Sequence, residues 1–245
     1  MNAVLVTGAT GGIGQALCAA FRDAGYRVLA TDSDARPCAC DAFLPLDLAR
    51  LADDVAAGEG FAAAVRAALD GAQLGVLVNN AAVQTLGGVA ETAPAAFSHS
   101  LAVNVIAPYA LSHLLYDELV AARGVVLNIG SVHAELTKPG FTAYSVSKAA
   151  LAGLTRALAL DFAPHGVRVN EIRPGATATP MLLAGFADDP AGYAAVAATQ
   201  PLGRLGEPRE IAAMAVFLAS AQAEFVTGAA LKVDGGIAAR LHDPR

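Results

Sequence analysis

The chain alternates short apolar runs, rich in β-branched residues, with longer stretches rich in alanine and leucine. Residues 3–7, 27–31, 43–46, 75–79, 125–129, 167–172 and 229–233 read as strands. Residues 12–24, 61–69, 94–122, 143–162 and 208–219 read as helices, with Gly25 where the first should stop. The run 75–79 is nearly all apolar, as in a strand buried on both faces. Strand–helix alternation over the whole length predicts one α/β domain, a doubly wound parallel seven-stranded sheet with helices on both faces. The stretch 33–41 is short and holds Pro37, so no helix is expected between the second and third strands. The segment 177–205 breaks the pattern with Pro180, Pro190, Pro201 and the pair Asp188-Asp189. It reads as a lid of short helices after a strand's C-terminal end, where open α/β sheets bind ligands.

Composition narrows the function classes. Of 245 residues, 55% are apolar and 16% charged, which predicts a large core. The net charge of −6 argues against nucleic acid or an anionic membrane as partner. No apolar run approaches the ~18 residues of a bilayer span, and neither a basic leader nor a cleavage site precedes the first strand. A soluble cytoplasmic protein is expected. The three cysteines, Cys18, Cys38 and Cys40, form no disulfide framework. The Cys38/Cys40 pair has no further ligands nearby in sequence, so no metal site is expected.

The segment Thr7-Gly8-Ala9-Thr10-Gly11-Gly12-Ile13-Gly14 joins the first strand to the first helix. There Gly8 permits a tight turn, Gly12 lets backbone approach a pyrophosphate, and Gly14 allows close helix–strand packing. The helix N-terminus adds free N–H groups and a positive dipole end. This context predicts dinucleotide binding. Asp32 ends the second strand, 18 residues after Gly14, and can accept hydrogen bonds from adenosine ribose hydroxyls. The same carboxylate repels a 2′-phosphate, and Arg36 is the one nearby cation to offset it. NAD is therefore expected over NADP.

Tyr144 and Lys148 stand one turn apart at the start of a helix. A neighbouring ammonium favours phenolate, so the pair can exchange protons. Ser131, 13 residues before Tyr144, ends the fifth strand and can donate to a substrate oxygen. Asn104 lies inside the stretch 94–122, where asparagine is a poor helix former and so wants a reason.

Together these motifs resemble the short-chain dehydrogenase/reductase family in its single-domain form, whose fold is Rossmann-type. The likeness spans essentially the whole chain. Thr7–Gly14 is similar to the family's cofactor loop, Asp47-Leu48 to its acidic contact near adenine, and Asn79-Asn80-Ala81-Ala82 to its N-N-A-G motif except at the last position. Pro174-Gly175, Thr177 and Thr179 resemble its nicotinamide contacts; Gly203–Pro208 and Val233–Gly236 are also typical. The resemblance implies that Tyr144 is the general acid/base, that Lys148 lowers its pKa and bonds the nicotinamide ribose, and that Ser131 polarises the carbonyl. It implies that Asn104 positions a helix-backbone group and a water for proton relay. It also implies a homotetramer, with helices 94–122 and 143–162 packed across one interface; Ala149, Ala152 and Ala159 read either as an outer face suited to that contact or simply as good helix formers.

Substrate is less legible. His133 and Glu135 follow Ser131 and read either as contacts for a polar or carboxylated substrate or as solvent-facing loop residues. The run 181–186 in the lid is apolar and suits an acyl or alicyclic group. The favoured reading is an NAD-dependent dehydrogenase of a polyol, sugar or hydroxy acid. The alternatives are an NADP-dependent 3-oxoacyl-type ketone reductase and a non-catalytic dinucleotide sensor. Glu171 and Arg173 stand on one strand face where small or apolar side chains are expected. They can pair with each other or with a neighbouring helix.

Overall fold

The computed structural model describes residues 1–184 and 186–241. Seven parallel strands form one sheet in the order β3-β2-β1-β4-β5-β6-β7. They are β1 Asn2–Thr7, β2 Arg27–Thr31, β3 Ala42–Phe43, β4 Gln73–Asn79, β5 Val125–Ile129, β6 Arg168–Pro174 and β7 Ala230–Val233. Strand order reverses between β1 and β4, which opens a crevice at their C-terminal ends.

Strands β1–β6 feed two cores by the period-2 alternation of their side chains, and the edge strand β7 feeds one. Val4, Val6, Val28, Val76, Val78 and Ile129 pack beneath α1 (Gly12–Asp23) and α9 (Pro208–Ala219). Leu5, Leu29, Leu77, Val126 and Val169 pack beneath α2 (Val55–Leu69), α4 (Ala107–Leu114), α5 (Tyr116–Ala122) and α6 (Thr142–Phe162). The expected doubly wound sheet is therefore what forms.

Several elements differ from expectation. Helix α2 starts six residues earlier than periodicity suggests, because Asp54 caps it by accepting from the Ala57 amide at 2.9 Å. Strand β3 is two residues long; Leu44 and Leu46 then follow β2 through single amide bonds to Ala30 and Asp32. As expected, no helix joins β2 to β3. The stretch 94–122 is not one helix. It comprises α3 (Pro94–Leu101), a π turn (Ala102–Ile106), α4 and α5. Pro108 has no N–H, so the Asn104 carbonyl has no α-helical partner there, and the ladder widens.

The segment 177–205 folds as α7 (Pro180–Ala184) and α8 (Pro190–Thr199), the latter capped by Asp189. Gly185 of the apolar run 181–186 lies outside the described residues. No helix among the described residues is long and apolar enough to cross a membrane. Of the three alanines expected on an outer face of α6, only Ala149 faces outward; Ala152 and Ala159 are buried under the helix.

Candidate active site

A groove of about 710 Å³ lies over the crevice between β1 and β4. Its walls are Gly8, Thr10–Gln15, Asp32, Ser33, Arg36, Leu46–Leu48, Asn80–Val83, His99, Val103, Thr179 and Pro180. A smaller depression of about 410 Å³ opens at the other end of the sheet, beside Tyr26, Arg168 and Glu224. Arg168 is committed there to the carbonyls of Leu218 and Val226.

The glycine loop is built for close approach. Gly8 has φ +61°, and a Cβ on it would lie 2.7 Å from Ala81 Cα. On Gly12, a Cβ would meet Pro180 Cδ at 2.8 Å. Gly11, just before α1, offers no side-chain cap, which leaves the first-turn amides free for an anion. Asn80 clamps the loop by donating to the carbonyls of Thr7 and Gly8 at 2.9 and 3.0 Å. The Thr7 hydroxyl in turn accepts from the Asn80 and Ala81 amides. Ala82, where the family motif has glycine, is exposed on the groove wall, where its methyl meets no obstacle from the fold.

Asp32 serves the loop as well as the groove. Its Oδ2 accepts from the Thr10 amide at 3.1 Å and hydroxyl at 2.7 Å, and its Oδ1 accepts from the Ser33 amide. Asp47 caps a short 3-10 turn through the Ala49 amide, and Leu46 and Leu48 form an apolar shelf beside it. Arg36 is exposed and paired with Asp34 at 3.3 Å. These residues fit a dinucleotide: free amides at a helix end, glycines where a Cβ would intrude, and a carboxylate next to an apolar shelf. Thr179 lines the groove; Pro174, Gly175 and Thr177, at and just after the end of β6, are not among its walls.

Asn104 sits in the π turn and is fully buried. Its Oδ1 accepts from the Val83 amide at 2.9 Å, and its Nδ2 donates to the Val83 carbonyl at 3.0 Å and to Ser147 Oγ at 2.9 Å. It therefore staples the groove wall to α6. That is the reason for its place in a helical stretch. Ser147, between Tyr144 and Lys148, is a member of this cluster that sequence reasoning missed. So is the buried ladder Asn79–Asn128–Thr155, which ties β4 and β5 to α6.

Ser131 is buried at the N-terminus of a 3-10 turn, where its Oγ accepts from the His133 amide. The Lys148 ammonium is buried and donates to the Ile129 carbonyl at 2.7 Å, 5.6 Å from the Tyr144 ring centre. Burial pushes the Lys148 pKa down to about 8, against an upward pull from the Glu171 carboxylate. Burial holds the Tyr144 phenol above its ordinary value, and a hydrogen bond with Ser131 opposes that rise. The expectation that Lys148 lowers the phenol is thus corrected for this state. Lys148 turns to a carbonyl and is itself desolvated, so burial dominates both groups.

His133 stacks on Phe141 with ring centres 4.6 Å apart and meets Tyr144 edge-on at 5.7 Å. Burial, with Lys138 adding, keeps its pKa below the usual histidine range, so the ring is neutral at pH 7. Glu135 is an exposed loop residue, as one of the two expected readings had it, but its carboxylate is not free. It is ion-paired to Arg173 and, at 2.6 Å, to Lys232. Arg173 also reaches Glu171 at 2.9 Å, so those two residues pair with each other rather than with a helix.

Known proteins resemble this chain over nearly its whole length. The family model described as enoyl-(acyl carrier protein) reductase matches residues 8–238. Galactitol 2-dehydrogenase (L-tagatose-forming) of Cereibacter sphaeroides is 39% identical, covering 94% of this chain and 92% of the relative. L-fucose dehydrogenase of Oryctolagus cuniculus is 37% identical, covering 95% of this chain and 84% of the relative. Ligand-free aldohexose dehydrogenase of Thermoplasma acidophilum superposes with a TM-score of 0.91 at 29% identity, covering all of this chain and 96% of that one. The chain belongs to the short-chain dehydrogenase/reductase family, whose dehydrogenases act on CH–OH groups with a nicotinamide dinucleotide.

Proposed function

We propose that this protein is an NAD(H)-dependent dehydrogenase of a polyol, sugar or hydroxy acid. The observation that carries this reading is the convergence of Ser131, Tyr144 and Lys148 with the groove wall that Asn104 holds. A nicotinamide bound in the groove supplies the hydride acceptor. As phenolate, Tyr144 takes the hydroxyl proton of the alcohol; as phenol, it gives its proton to the ketone oxygen. Ser131 orients the substrate oxygen, and Lys148 would hold the nicotinamide ribose. Asn104 fixes the Ala81–Val83 wall beside them through both backbone groups of Val83.

Asp32 supports NAD(H), because its carboxylate opposes a 2′-phosphate and Arg36 is already paired with Asp34. The neutral His133 ring beside Tyr144 supports a hydroxyl-bearing substrate, as do the sugar and polyol dehydrogenases among the relatives. Leu182 and Leu183 in the segment 177–205, which we read as the lid, favour the 3-oxoacyl alternative.

The test is a panel of alditols, aldoses, hydroxy acids and acyl thioesters, read at the nicotinamide absorbance with each cofactor. The expected result is a kcat/KM at least ~10-fold higher with NAD than with NADP, a difference of about 1.4 kcal/mol. Turnover of acyl thioesters with NADP(H) alone would replace this reading with the 3-oxoacyl one. We also propose a homotetramer, supported by Ile106, Tyr109, Val146 and Leu160, which expose apolar surface on the helical layer of α4 and α6. Sedimentation equilibrium is expected to give four times the chain mass; a monomer would overturn the assembly.

A further inference from the structure

Glu171 is a carboxylate in a place that ordinarily repels one. It is 1% exposed on β6, on the sheet face covered by α6. Burying a charge is costly unless it is fully paired, and this one is not. Its Oε2 accepts from Arg173 Nη2 at 2.9 Å, and its Oε1 has no partner. Nor does Arg173 neutralise it alone, since that guanidinium is shared with Glu135.

The unpartnered oxygen has a defined seat. A Cβ on Gly130 would lie 2.0 Å from it, so the glycine leaves the space that the carboxylate fills. Gly130 stands between Ile129, whose carbonyl anchors Lys148, and Ser131. A negative charge thus presses on the backbone segment that holds two groups of the acid/base cluster.

We propose that Glu171 is a positioning residue for Lys148: its half-used carboxylate supplies the field that keeps the ammonium charged against the Ile129 carbonyl. The proposal rests on the reading of Tyr144 and Lys148 as an acid/base pair. Desolvation alone drives a buried lysine toward its neutral form. Of the charges around Lys148, Glu171 is the one that opposes this. The other titratable and charged groups nearby are Tyr144 on the same helix, Arg173 on β6, His133 and Glu135 after β5, and Lys232 on β7. Arg173 and Lys232 balance Glu135 and Glu171 in number, but both cations lie on the side of Glu135 and Glu171 Oε2, which leaves Glu171 Oε1 as the unpartnered oxygen against Gly130.

The chain has three lysines, Lys138, Lys148 and Lys232, so NMR of lysine-labelled protein can follow each side chain separately. In the cofactor-free protein, Glu171→Gln is expected to lower the Lys148 titration midpoint by about one pH unit and to leave Lys138 unmoved. The alkaline limb of ketone reduction is expected to move down with it. If E171Q does not fold, Glu171→Asp keeps the charge but draws it back from Gly130, and is expected to shift Lys148 in the same direction by a smaller amount. An unmoved Lys148 midpoint in a folded variant overturns the proposal. A midpoint that moves while the kinetic limb stays supports the field from Glu171, and instead overturns the assignment of Lys148 to the chemistry.

Discussion

Tyr144→Phe is expected to lower turnover at least ~100-fold while dinucleotide binding stays within about twofold of the parent. The substitution removes one oxygen and keeps the ring that packs edge-on against His133 and Phe141, so the wall of the site persists. What it removes is the atom that would exchange a proton with substrate. Burial holds that phenol above its ordinary pKa, and it is protonated at neutral pH. The protein is thus set to donate to a ketone. Alcohol oxidation needs the phenolate, so its rate is expected to rise with pH through and above neutrality. In Tyr144→Phe that rise is expected to flatten. Stopped-flow hydride transfer, paired with fluorescence titration of NADH, measures both quantities. Near-normal hydride transfer in the variant would refute Tyr144 as the acid/base.

Much of this site was legible because its positions answer to local rules. Glycines at positions 8, 12 and 14 reflect backbone approach, which sequence shows directly. Tyr144 and Lys148 share a helix face by spacing alone. The seven strands follow from apolar runs bounded by turns, and the missing helix between β2 and β3 from Pro37. What sequence hid depends on partners far along the chain. The π turn at Asn104 needs both Pro108 in its own stretch and Val83 as an outside partner. Ser147 reads as a helix residue of no note until Asn104 reaches it. Glu135 reads as a candidate substrate contact because Arg173 and Lys232 lie 38 and nearly 100 residues on, on strands brought beside it only by the sheet. Likewise, Ala152 and Ala159 were expected to face outward because helical periodicity does not say which face meets the sheet.

Gly14→Ala is the second large effect, and it separates cofactor binding from proton transfer. A Cβ there would lie 2.0 Å from the Gly8 carbonyl oxygen and 2.8 Å from Ala9 Cα. Neither atom is free to yield. The Gly8 oxygen already accepts from the Gly11 amide at 3.2 Å and from Asn80 at 3.0 Å, and Ala9 is fully buried. The helix start must therefore shift away from β1, and the amides of its first turn move with it. The expected cost is about 1–3 kcal/mol of stability, as for other overpacked sites, and a dinucleotide Kd raised at least ~100-fold, or about 2.7 kcal/mol. Gly60→Ala is the matched control. It lies in α2 with nothing within 4 Å of the added methyl, and is expected to gain about 0.5–1 kcal/mol with binding unchanged. Urea denaturation and calorimetric titration of both variants with NADH measure the two effects. Unaltered affinity in a folded Gly14→Ala protein would mean that the loop before α1 is not where the pyrophosphate rests, and the groove would lose its assignment as the cofactor site.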